Sequence, residues 1–115
     1  MELNINDLKD AGAFAGAPVE KEIEWKQDGK ILKVTTYIRK LSYKSAVADM
    51  KLLAAGDIVA GRIATCICDK EGKAVFTVGD ITGEADPERG PLDHNLTVAL
   101  LNAIAEVNGL VKTEA

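Results

Sequence analysis

The chain has 115 residues, enough for one domain with a modest core. Hydrophobic residues make up 47% and charged residues 28%, which excludes an intrinsically disordered chain. The formal charge of −4 comes without a basic cluster, so the footprint of nucleic-acid binding is missing, and no run is long and apolar enough to span a bilayer.

Residues 1–18 carry weak signals. The opening MELNINDLKD is acidic and lacks the basic start and apolar stretch of a signal peptide, which points to a cytosolic protein. AGAFAGAP is small and glycine-rich and ends in Pro18. The expectation is a flexible arm or loop over 1–18, followed by a single domain over 19–115.

Residues 19–39 alternate with period two. Val19, Ile23 and Trp25 are interleaved with Glu20, Glu22, Glu24 and Lys26, and Val34, Thr36 and Ile38 share one parity on the return. Asp28-Gly29 between the two runs suits a type I′ turn, because both central residues tolerate positive φ. A β-hairpin follows.

Ser42 is a suitable N-cap for a helix over about 43–55, stopped by Gly56. Asp57 suits a second helix over 58–68, with Arg62, Thr65 and Asp69 as its polar strip. Cys66 and Cys68 would both lie on that helix, diverging by about 200°, which argues against a disulfide between them. Asp69 to Lys73 reads as a turn pivoting on Gly72. In AVFTVGDITG, Thr77 stands three residues ahead of Asp80 and Gly83 closes the stretch, the grammar of a short capped helix over 78–82. GEADPERGP is a polar loop. Pro91 suits a first helical turn, and a last helix is expected over 92–108 with Gly109 just beyond it. The arrangement is α+β: an N-terminal hairpin, then a small bundle of three to four helices.

Little in the chain carries chemistry. Cys66, Cys68 and His94 are the soft metal ligands, one short of a convincing tetrahedral set, and the two cysteines read as small apolar residues. His94 lacks a nucleophile and an orienting acid at suitable spacing, since Ser42 and Ser45 suit a helix start. No glycine-rich loop ends in Lys-Ser/Thr, so no phosphate cradle is indicated. The expectation is a non-enzymatic protein with no cofactor and no metal.

The last helix stands out. Asn95, Asn102 and Glu106 form a narrow polar stripe, while apolar residues spread over most of the remaining surface. Packing within the monomer accounts for part of that arc. The rest suggests apolar surface kept for self-association or a partner. On this pattern the partner-binding residues are Leu96, Leu100, Ile104, Val107 and Leu110, with Trp25 as a weaker interface anchor and core filler as its ordinary role.

Taken in order, the charged hairpin ending TTYIRKLSY, the helix after it, IATCICDKEGKAVFTVGDI and LNAIAEVNGL resemble the tail assembly chaperones of long-tailed, siphovirus-type phages and prophages. The resemblance covers roughly residues 19–111 and is most specific in CDKEGKAVFT and LNAIAEVNGL. It implies a mainly helical fold with a small hairpin, self-association, and a non-enzymatic role in the host cytoplasm. Members bind the long, aggregation-prone tape measure protein, keep it soluble while the tail tube polymerises, and are not retained in the virion. Many are also made as a longer frameshifted form, whose extension is thought to recruit tail tube protein. A structural or tail-completion component of the particle and an accessory domain of an unrelated cytosolic complex are the alternatives.

Overall fold

A computed structural model describes residues 3–13, 16–42 and 58–109 of the chain. The predicted helix over 43–55 lies outside the described residues. Among those described, four helices and a three-stranded antiparallel sheet form a mixed α+β fold: α1 (Ile5–Asp10), β1 (Val19–Gln27), β2 (Lys30–Ile38), α2 (Ile58–Cys66), β3 (Ile67–Cys68), α3 (Val78–Thr82) and α4 (His94–Val107).

The hairpin forms as its alternation requires. Val19 pairs with Ile38 and Gln27 with Lys30, and the turn residues Asp28 and Gly29 both take positive φ, 51° and 78°. Glu20, Glu22 and Glu24 point to water, while Ile23 is buried on the opposite face. That inner face packs against α4. The core gathers Ile23, Ile38, Ile63, Ile67, Ile81, Leu100 and Ile104.

Two corrections concern helix ends. The helix expected over 58–68 stops at Cys66, because Ile67 and Cys68 pair with Ile38 and Tyr37 as β3. The Cys66 carbonyl accepts the Arg39 N–H at 2.8 Å, so the edge of β2 takes over where the helical ladder ends. Cys68 is therefore on a strand and not on the helix; both cysteines are buried and no disulfide joins them. The last helix begins at His94, later than Leu92. Asp93 caps it by accepting the Leu96 N–H at 3.0 Å, and the Leu92 N–H is committed to the Ile81 carbonyl. Pro91 thus precedes the helix.

The arm holds α1, an element that reading residues 1–18 as loop left out. Asn4 caps it through the Asp7 N–H. At the other end Ala13 N–H donates to Leu8 O and Gly12 N–H to Lys9 O, with Gly12 at φ 77°, a Schellman closure.

The 77–83 junction forms as its grammar predicts. Thr77 Oγ1 accepts the Asp80 N–H at 3.1 Å, and Asp80 Oδ2 accepts the Thr77 N–H at 2.9 Å. Gly83 closes α3 at φ 91°. Arg89 reaches back to Asp80 at 2.8 Å. The Thr77 backbone N–H first, then the Arg89 guanidinium, hold the Asp80 carboxyl below its ordinary value.

Candidate functional site: an apolar groove beside β2

α4 crosses the hairpin over β1 and is pinned there by two members of its polar stripe. Asn95 Nδ2 donates to the Lys26 carbonyl at 2.7 Å, and Glu106 pairs with Lys21 at 2.8 Å. β2 receives less cover. β3 pairs only with Tyr37 and Ile38, so among the described residues the outer edge of β2 from Lys30 to Thr36 has no strand beside it.

The result is a groove of about 340 Å³. Its deep residues are Ile23, Ile67, Cys68 and Leu100, all buried. Trp25, Leu96 and Phe76 are half-buried along it. Val34 and Val75 form its mouth at 41% and 53% exposure. Asp69 and Lys70 supply a polar rim. Asp69 Oδ1 is engaged by the N–H groups of Glu71 and Lys73, each at 2.9 Å, so it shapes the 69–73 turn. Trp25 satisfies its indole N–H locally on Gln27 Oε1 at 3.0 Å. Its ring is left for apolar contact.

Of the residues singled out from sequence, the structure brings Trp25, Leu96 and Leu100 together in this groove. Leu100 and Ile104 are each only 2% exposed; they pack in the core instead of standing as open helix surface. The physical reason is that the broad apolar arc of α4 is claimed from two sides, by the hairpin and by α2. Val107 packs half-buried against the same core, away from the groove lining. Leu110 lies outside the described residues. Sequence reasoning missed Val34, Val75 and Phe76. The parity of Val34 with Thr36 and Ile38 was visible, but its exposure depends on β3 being only two residues long.

The other chemistry-bearing residues stay apart. His94 is exposed at the first turn of α4, whereas Cys66 and Cys68 lie inside the core. Among the described residues no group of three His, Cys, Asp or Glu side chains is placed to hold a metal ion. The Cys68 thiol donates to the Tyr37 carbonyl at 3.4 Å, a structural contact.

No curated protein and no solved structure matches the chain. The family described as phage tail assembly chaperone, TAC, matches over residues 6–108, which includes most of α1, the hairpin, the groove and α4. The match thus reaches further toward the N-terminus than the hairpin where the sequence resemblance begins. The chain belongs to the phage tail assembly chaperone family.

Proposed function

We propose that this chaperone binds amphipathic helical segments of the tape measure protein and keeps that client soluble while the tail tube of a siphovirus-type phage assembles. The observation that carries the reading is the apolar groove, open at Val34 and Val75 and backed by Trp25, Phe76 and Leu96. A groove of this kind takes apolar side chains at helical spacing, the i, i+3 and i+4 anchors of an amphipathic helix. Each groove is small, so retention along a long client rests on many copies acting together. The acidic outer face of β1, with Glu20, Glu22 and Glu24, keeps the loaded complex in solution.

In this reading the protein is non-enzymatic, needs no cofactor, works in the host cytoplasm as a homo-oligomer and leaves before the virion is complete. Tail tube protein is met through a longer frameshifted form.

Co-expression with the longest helical protein encoded just downstream tests it, followed by pull-down and a solubility assay. The expected result is a client soluble only when this chain is bound. A client whose solubility is unchanged and which does not co-purify overturns the reading. Recovery of the chain in purified particles would favour a structural component instead.

A further inference from the structure

One step of the chain, Asn108 to Gly109, carries a reaction of its own. The chain has five asparagines, and four are followed by residues with side chains, Ile5, Asp7, Leu96 and Ala103. Asn108 is followed by Gly109. A backbone nitrogen can attack the amide carbon of the asparagine before it and close a five-membered imide. A side chain on the residue that carries this nitrogen crowds the approach, and glycine has none. By sequence, Asn108 is therefore the reactive asparagine of the chain.

The fold holds it shut in three ways. The ring closes only when the Gly109 nitrogen eclipses the Asn108 Cα–Cβ bond. Asn108 has ψ 4°, so that nitrogen eclipses the Cα–N bond instead. The Gly109 N–H is committed to the Glu106 carbonyl at 3.1 Å. The carboxamide is fixed at both of its polar atoms: Oδ1 accepts the Leu41 N–H at 2.7 Å, and Nδ2 donates to the Ile104 carbonyl at 2.8 Å. These restraints share one place, where the end of α4 is clasped to the exit of β2. Gly109 itself is exposed, so water reaches the site once the clasp opens.

We infer that Asn108–Gly109 is a latent deamidation site: release of the end of α4 from β2 lets the Gly109 nitrogen attack Asn108 Cγ, and the product cannot restore the clasp that was released. The N–Cγ bond forms and the Cγ–Nδ2 bond breaks. The Gly109 N–H proton leaves with Nδ2 as ammonia. Water then opens the imide at either carbonyl, giving aspartate or isoaspartate with no change of oxidation state. Aspartate has lost the donor to the Ile104 carbonyl and sets a negative charge at the negative end of α4. Isoaspartate lengthens the backbone and shortens the side chain, so its carboxylate no longer meets the Leu41 N–H. The step is irreversible and marks chains whose last helix has come loose. It rests on the end of α4 alone and is independent of what the groove binds.

Full-length protein is held at mildly alkaline pH, folded in buffer or unfolded in guanidinium chloride, and the amide of each asparagine is followed by peptide mass spectrometry. Unfolded chains should lose Asn108 first among the five asparagines, and folded chains should lose it at least about tenfold more slowly. Two variants loosen the clasp. Leu41→Pro removes the N–H that Oδ1 accepts, and Val107→Gly weakens the last turn of α4. Circular dichroism shows which of them stays folded, and each folded variant should deamidate at Asn108 severalfold faster than wild type. Wild-type chains that react as fast folded as unfolded overturn the inference, as do unfolded chains that lose another asparagine first. Folded variants that keep Asn108 as long as wild type does overturn it too, because the clasp would then not be what protects it.

Discussion

Asn108 and Leu41 tie the end of α4 to the exit of β2: the Asn108 side-chain oxygen accepts the Leu41 backbone N–H at 2.7 Å, across 67 residues of sequence. The same amide donates to the Ile104 carbonyl at 2.8 Å, closing the last turn of α4. One side chain thus serves as helix cap and as clasp on the exit of β2. Asn108→Ala should lower stability by about 1–3 kcal/mol, because a part-buried N–H loses its acceptor. Asn108→Asp keeps an acceptor but adds negative charge at the negative end of the helix, so it should fall between the two. Urea unfolding followed by circular dichroism measures both; an alanine variant with the wild-type midpoint would show the clasp to be idle.

Core and groove separate cleanly by mutation. Ile104→Ala removes a fully buried group that does not line the groove and should cost about 2–5 kcal/mol. Val34→Ser and Val75→Ser alter exposed positions and should stay within about 0.5 kcal/mol of the parent. The groove pair should nevertheless weaken capture of the client in the co-expression assay. If it captures as well as wild type, the client binds elsewhere.

Acid should loosen α3 through Asp80. Its carboxyl titrates below the ordinary 3.8, held down by the Thr77 N–H and by Arg89. A carboxylate with a folded value below its unfolded one adds stability that is fully present above the unfolded value. That contribution is lost as pH falls from about 3.8 through the lower folded value. Asp80→Asn removes the titration. Its stability should therefore depend less on pH than that of wild type across that acid range, as read from urea midpoints. Parallel curves would mean that Asp80 is not the acid-sensitive group.

Gly83 is a position where only glycine works. Its φ is 91°, and an added Cβ would stand 2.7 Å from the Pro91 backbone nitrogen. Gly109 also has positive φ, 66°, but an added Cβ there would meet nothing within 4 Å among the described residues. Gly83→Ala should therefore destabilise by more than the roughly 1–3 kcal/mol that backbone strain alone imposes, and by more than Gly109→Ala. Thermal melts of the two variants compare them directly. Equal melting temperatures would mean that the loop at Gly90 and Pro91 yields freely.

The hairpin and α3 were legible because short-range rules decide them: period two with Asp28-Gly29, and Thr77 with Asp80 and Gly83. β3 was not, since IATCIC continues an apolar helical pattern and only pairing with Tyr37 and Ile38 ends it. α1 had local signals, Asn4 before Asp7 and Gly12 behind, but too few apolar residues for a period to emerge. For α4 the sequence showed an apolar arc without showing which part the hairpin would claim. Leu100 and Ile104 went inward as Asn95 and Glu106, the polar stripe, were bonded to β1. The groove itself was invisible, because it arises where three distant segments fail to cover one another.

The shortness of β3 also bears on colloidal behaviour. From Lys30 to Thr36 every second backbone amide of β2 faces away from β1, without a strand partner among the described residues. Such an edge is a template on which other strands can stack into fibrils. Lys30 and Lys33 guard it, since two copies meeting edge to edge would bring like charges together. Lys30→Thr with Lys33→Thr should raise thioflavin T fluorescence on standing at high concentration. A protein whose family role is assembly thus carries its own barrier against assembling wrongly.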